Sequence, residues 1–219
     1  MIYFIADDHY ESFPGRKIYE SLPEELRKNI TFCENDWSIL EAGELPDDCE
    51  LLILKMIGTT CNLPHPDANA EKAVRSWCEK GGNFLLLHGS SAAFWQWNWW
   101  REIVGYRWVR PGDPDQVPTS THPKQPYSLR VLKTRHPLIG KLQAFDLPED
   151  EIYTELEQVS PTMTLMDTSI EQGVYPQCFE SINPWGGKMF SFLPGHREEA
   201  TTNPALIANI TEIIKYLLA

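Results

Sequence analysis

Two apolar runs in this chain end in side chains able to move protons. Residues 84–87 lead into His88-Gly89-Ser90-Ser91, and residues 189–193 lead into Pro194-Gly195-His196-Arg197-Glu198. A histidine at a strand end suits acid–base work because imidazole titrates near neutral pH, and the carboxyl ends of strands in an open α/β sheet border the ligand crevice. The ordinary alternative for His88 is a hydrogen-bonded structural residue. Ser90 and Ser91 follow at a strand-to-helix turn, where a serine serves either as a nucleophile beside oriented backbone N–H groups or as a helix cap. Neither lies in G-x-S-x-G, which favours the cap. With His196 and Glu198, Ser90 would make an esterase-like hydrolase. By the same crevice argument Asp8 and His9, after the first apolar run, and Gly58 and Thr59, after the third, join Gly89 and Ser90 at the binding site, unless Asp8 merely caps a turn. Histidines and carboxylates converging from several strand ends could bind a divalent metal, although no H-x-x-H or H-E-x-x-H spacing is present. No cofactor is specified.

Residues 94–100 contain Trp95, Trp97, Trp99 and Trp100. On a helix Trp95 and Trp99 share a face while Phe94, Trp97 and Trp100 point away from it, so no single core-facing stripe holds them all. An extended segment would instead set Trp95, Trp97 and Trp99 on one side. Core packing and a subunit interface account for most of these rings. Trp95 or Trp97 is the candidate platform for the apolar C–H face of a sugar, with Gln96 or Asn98 bonding its hydroxyls.

These groups need a scaffold that brings strand ends together. Residues 2–6, 51–56 and 84–87 have the composition of strands buried on both faces. Between the last two, Ala70, Val74, Trp77 and Cys78 recur at helical spacing and Gly81-Gly82 gives a stop, which makes a βαβ unit. A helix around Ile18 and Leu22, interrupted by Pro23, precedes a short strand at 30–33. Asn203 caps and Pro204 opens a last helix with an apolar stripe from Leu206 to Leu218. The middle, 106–158, is rich in prolines and loops around a strand candidate at 129–132, and 163–166 and 189–193 are further strands. One α/β domain over residues 1–219, a three-layer sandwich, is expected.

Of the 219 residues, 19 are Lys or Arg and 31 are Asp or Glu, a formal charge of −12 that repels phosphate backbones and anionic membranes. Nucleic acid and membrane are therefore excluded as expected partners. The first residues lack the basic flank and apolar length of a signal peptide or membrane helix, so a cytoplasmic location is expected. Five scattered cysteines without a C-x-x-C pair argue for reduced structural thiols.

The run from Phe190 to Glu198 resembles class I glutamine amidotransferases, which place a catalytic cysteine at the strand-turn-helix elbow and a His-x-Glu pair before the final helix. His196-Arg197-Glu198 is similar to that pair, but position 88 or 90 stands where the cysteine would be, and the nearest thiol, Cys78, lies on the preceding helix. Glutamine hydrolysis through a thioester needs that thiolate, so glutaminase activity is not expected. The chain more closely resembles the ThuA-like (trehalose utilisation) family, a branch of the same superfamily without the cysteine. The similar pieces are Gly81-Gly82-Asn83 with the strand to His88, Phe94-Trp95-Gln96-Trp97, Ile103-Val104-Gly105, His136-Pro137-Leu138-Ile139, Asp150-Glu151-Ile152-Tyr153, Trp185-Gly186-Gly187-Lys188 and Gly195-His196. The family often carries His-Pro after the Val-Gly segment, where this chain has Arg110-Pro111, with His122-Pro123 downstream.

That resemblance implies a flavodoxin-like, mainly parallel sheet, a place in disaccharide or keto-sugar catabolism, and a pocket of His88, His136, Glu151, Tyr153 and His196. It implies no defined reaction. His136 could simply open a turn, Glu151 could be a solvated carboxylate, and Tyr153 could be core. The expected function is acid–base chemistry on a small-molecule sugar, with His88 or His196 as general base and Glu151 or His136 as acid or orienter. The alternatives are the Ser90 hydrolase and a non-catalytic sugar-binding or scaffold protein. A homo-oligomer is expected, the tryptophan cluster supplying a contact.

Overall fold

The computed structural model describes residues 1–58, 63–113 and 117–219. The apolar runs form parallel strands: β1 (Ile2–Ala6), β2 (Ile30–Glu34), β3 (Leu51–Lys55) and β4 (Asn83–Leu87). Every residue of β1 and β3 is buried. Alternate side chains enter two separate core clusters, as the two-residue period of a strand requires. Phe4, Ile53 and Leu85 join one cluster with Ile18 of α1 (Pro14–Ser21); Ile5, Leu54 and Leu86 join the other. The second cluster also takes Leu40 of α3 (Ser38–Glu41) and Val74 of α4 (Ala68–Glu79), and a short α2 (Glu24–Arg27) precedes β2. The segment 94–100 is not one helix. Phe94 takes a left-handed φ of 56°, and only α5 (Asn98–Arg101) is helical.

The expectation of a mainly parallel sheet holds for half of the observed sheet. After a two-residue β5 (Tyr106–Arg107), the middle of the chain supplies β6 (Lys124–Val131), β7 (Phe145–Glu151), β8 (Glu157–Gln158), β9 (Thr162–Ile170), β10 (Gly173–Ile182) and β11 (Lys188–Phe192). Nine of these strands form one sheet in the order β2-β1-β3-β4-β11-β10-β9-β6-β7. It is parallel from β2 to β11 and antiparallel from β11 to β7. Of the antiparallel half, 129–132 and 163–166 read as strands in sequence and fall in β6 and β9, whereas β7, β10 and the start of β6 read as loops because each contains a proline (Pro148, Pro176, Pro126). The β6–β7 and β9–β10 registers shift beside Pro126 and Pro176. Bulges let a sheet accommodate a residue that cannot donate to the ladder.

Two features bring the strand ends together. Parallel pairing of β4 with β11, Phe192 opposite Leu87, sets the turn at His88 beside the segment leading to His196. Asp150, fully buried near the end of β7, accepts the backbone N–H groups of Gly195, His196 and Arg197 at 2.9, 3.1 and 2.8 Å. The chain then enters α6 (Glu198–Thr201) and α7 (Pro204–Leu217). Asn203 caps α7 as expected, its side chain accepting from the Ala205 and Leu206 N–H groups. Burying each large apolar side chain of its stripe contributes about 1.5–3 kcal/mol. No helix among the described residues is long and apolar enough to cross a membrane.

Candidate active site

His88 leaves β4 with φ of 49°, a left-handed conformation that costs a non-glycine residue roughly 1–3 kcal/mol. The elbow residue is thus His88 rather than Ser90. The His88 side chain is buried, with Nδ1 2.8 Å from the Leu193 carbonyl. A carbonyl can only accept, so Nδ1 carries the proton of that bond and Nε2 faces the site. Nε2 lies 3.1 Å from the Tyr153 hydroxyl and 3.3 Å from Glu151 Oε2. Gly89 allows this approach: a Cβ there would stand 2.9 Å from both the Tyr153 hydroxyl and Ile57 Cδ1.

Glu151, the last residue of β7, is the hub. Its Oε1 lies 3.3 Å from His196 Nε2, 3.3 Å from His122 Nδ1 and 3.2 Å from Lys124 Nζ. Burial works to raise its carboxyl pKa, but the hydrogen bond and charge of His88, with the charges of His196 and His122, outweigh that and hold it well below the usual carboxylate range. The same burial, aided by His88, lowers His196 to about 3, against the pull of Glu151. His9, whose ring meets that of His196 at 4.9 Å, falls to about 4 through burial and the charges of Lys55 and His88. Beneath them, burial brings Lys55 down to about 8 despite Asp7, Asp150 and Glu151. The Nδ1 of His196 is buried with no hydrogen-bond partner among the described residues.

These groups open on a cleft of about 440 Å³ lined by His9, Tyr10, Ile57, Ala92, Trp108, Arg110, His122, Lys124, Glu151, Tyr153 and His196. The structure therefore gathers His9, Glu151, Tyr153 and His196 around one space, with His88 and Gly89 behind Tyr153. Gly58 donates its N–H to Asp7, while Asp8 pairs with Asn35 and accepts the Glu11 N–H at 3.5 Å in the next turn. Thr59 lies outside the described residues.

Other expected members are elsewhere. His136 bonds Glu180 at 3.2 Å and packs edge-on against the Tyr216 ring of α7, away from the cleft lining. Ser90 is fully buried, its hydroxyl 2.8 Å from the Leu54 and Leu87 carbonyls and accepting the Met56 N–H. Glu198 is paired with Lys17. The Ser90-His196-Glu198 triad is therefore not assembled, because the hydroxyl is consumed in bracing the turn. Trp97 stacks on Phe94 at 4.0 Å within the core and offers no face to a sugar. Trp95 carries the guanidinium groups of Arg101 and Arg110 over its ring, at 4.0 and 4.5 Å. The tryptophan that lines the cleft is Trp108, 4.8 Å from the Tyr153 ring. Sequence reasoning missed Trp108, Arg110, His122 and Lys124 as site residues; only the two X-Pro pairs at 110–111 and 122–123 gave a signal.

The family model for ThuA, trehalose utilisation, matches residues 11–217. The chain belongs to the ThuA family. Its fold is shared with a ThuA-like protein of Parabacteroides merdae at 14% identity (TM-score 0.77, covering 100% of this chain and 89% of that one). A ThuA-like protein of Bacteroides uniformis aligns at 13% identity (TM-score 0.70, covering 99% and 91%). A β-galactosidase of Bacillus circulans matches over 98% of this chain but only 31% of its own, at 10% identity and a TM-score of 0.57. Among curated protein sequences, none matches the chain significantly. In this ThuA-family member no cysteine stands at the elbow, and Cys78, on α4, is buried in the core. His88, Glu151 and His196 could each offer one ligand atom to a divalent cation, the three atoms lying within 4.8 Å of one another. A cation there would act as a Lewis acid on a substrate oxygen.

Proposed function

We propose that this ThuA-family chain is an enzyme of sugar metabolism that performs acid–base chemistry at a sugar carbonyl or acetal. The observation that carries the reading is the convergence of His88, His122, His196 and Lys124 on one buried carboxylate, Glu151, at the floor of a cleft of monosaccharide-to-disaccharide size. His196 exchanges the proton with substrate, and Glu151 orients its ring and stabilises the imidazolium that forms. With the Nε2–H of protonated His88 donating to its oxygen, Tyr153 keeps its own O–H for a hydrogen bond to the substrate oxygen that gains charge. Trp108 packs against the C–H face of the ring.

A three-layer, flavodoxin-like arrangement of the parallel half fits the two core clusters, and free cysteines at 33, 49, 78 and 178 suit the cytoplasm. A homo-oligomer would have to use other surfaces than Trp97 and Trp100, which are core.

A proton NMR time course with glucosides, disaccharides and their 3-keto derivatives tests the function. New product resonances that vanish in His196→Ala and fall sharply in His88→Ala are expected. Saturation transfer without product would replace the enzyme with a binding protein.

A further inference from the structure

We infer that the sugar this cleft takes carries an acidic group, a carboxylate or a phosphate ester, seated on Arg110. The inference rests on the proposed function for the sugar ring but on separate residues for the acid. Arg110 lines the cleft, two residues beyond Trp108. Its guanidinium packs over the Trp95 ring at 4.5 Å, and no carboxylate among the described residues pairs with it. Trp95 is itself held by Arg101, which is tied to Asp113. A guanidinium braced over an indole ring and lining an open cleft is suited to bidentate binding of an oxyanion.

The charge balance of the cleft points the same way. Its lining holds one carboxylate, Glu151, and that carboxylate is already matched by Lys124 and the imidazoles around it. Among the described residues Arg110 is then a permanent cation with no carboxylate paired to it, in a chain whose formal charge is −12. A neutral sugar would leave this half-buried guanidinium without an anionic partner, whereas an acidic one completes it and is steered past an otherwise repelling surface. The ring on Trp108 and the acid on Arg110 would leave the substrate's reacting carbons toward His196 and Tyr153.

Calorimetric titration and saturation-transfer NMR with glucose, gluconate, glucuronate and glucose 6-phosphate test this. Acidic sugars are expected to bind at least about tenfold tighter than glucose, more weakly as salt rises. Arg110→Gln should lose that advantage while leaving glucose binding within about twofold, and Arg110→Lys should recover part of it; circular dichroism checks that both fold. Preference for gluconate and glucuronate would identify a carboxylate, and preference for glucose 6-phosphate a phosphate ester. Equal affinity for glucose and the acids, or an equal loss of both in Arg110→Gln, would overturn the assignment. Competition by inorganic phosphate at Arg110 without binding of any sugar would keep the anion site and sink the sugar reading.

Discussion

Two histidine–carboxylate pairs in this molecule have almost the same geometry and different surroundings. His88 lies 3.3 Å from Glu151, and His136 lies 3.2 Å from Glu180. The first pair stands where β4 and β7 end, and Glu151 faces three further nitrogens and a cleft. The second is closed in: Glu180 is in the interior of β10, and the rings of Phe190 and Tyr216 pack on His136. Burial of Tyr216 together with the Glu180 charge raises that phenol to about 12, so it stays a neutral cover. A histidine beside a carboxylate is therefore a structural device by default. It becomes a candidate site when it lies at strand ends, gathers further titratable groups and meets open space.

The comparison breaks most decisively at the two carboxylates. Glu151→Gln should lower kcat about 100-fold or more on whatever sugar proves active, whereas Glu180→Gln should leave kcat/KM within about twofold. If Glu180→Gln were the inactive variant, the sealed pair would be the site. Tyr153→Phe removes one hydroxyl and should cost about 10- to 100-fold in kcat with little change in KM, since the bond is proposed to strengthen in the transition state. An unchanged rate would reduce Tyr153 to packing.

On the stability side the order reverses. His136→Ala should destabilise by on the order of 2 kcal/mol, because it leaves the part-buried Glu180 with the Tyr216 hydroxyl but without its imidazole and opens a cavity beside Phe190. Differential scanning calorimetry reads this directly. Gly89→Ala should cost about 1–3 kcal/mol and also reduce activity, since the new methyl must displace Ile57 or Tyr153.

The smallest expected effect is in acid. His9 is held near 4 in the fold and titrates near 6.5 when unfolded, so between those values the unfolded chain binds the extra proton. Its contribution is therefore unfavourable to the fold as pH falls from about 6.5 toward 4. Tm measured across that window should fall less steeply in His9→Gln than in the parent. Equal slopes would show that His9 is not held neutral.

How much of this was legible in sequence differs by region. The parallel half was: runs of five apolar residues, a helix stop at Gly81-Gly82, and an Asn203-Pro204 helix start are local signals, and each forms where the pattern sets it. The antiparallel half was legible only in part: 129–132 and 163–166 read as strands and lie in β6 and β9, whereas β7 and β10 did not read as strands. Prolines broke the strand pattern there, and the bulges beside Pro126 and Pro176 that accommodate them depend on pairing with a distant strand. The site followed the same division. His88 and His196 were readable as strand-end histidines, but equally strong sequence signals at Ser90, Trp97 and His136 are spent on bracing a turn, filling the core and pairing with Glu180.

By itself, then, the sequence determined the α/β class, the family and the histidines at the sheet's crevice, because burial periodicity, capping and the motifs are written within a few residues of one another. Only the tertiary structure decided that Glu151 is the hub, that His122 and Lys124 join it while Arg110 lines the same cleft, and that His136 does not. Those groups are brought together by strand register and by the Asp150 clamp on residues 195–197, contacts between segments about 45 positions apart whose spacing along the chain carries no trace of their proximity.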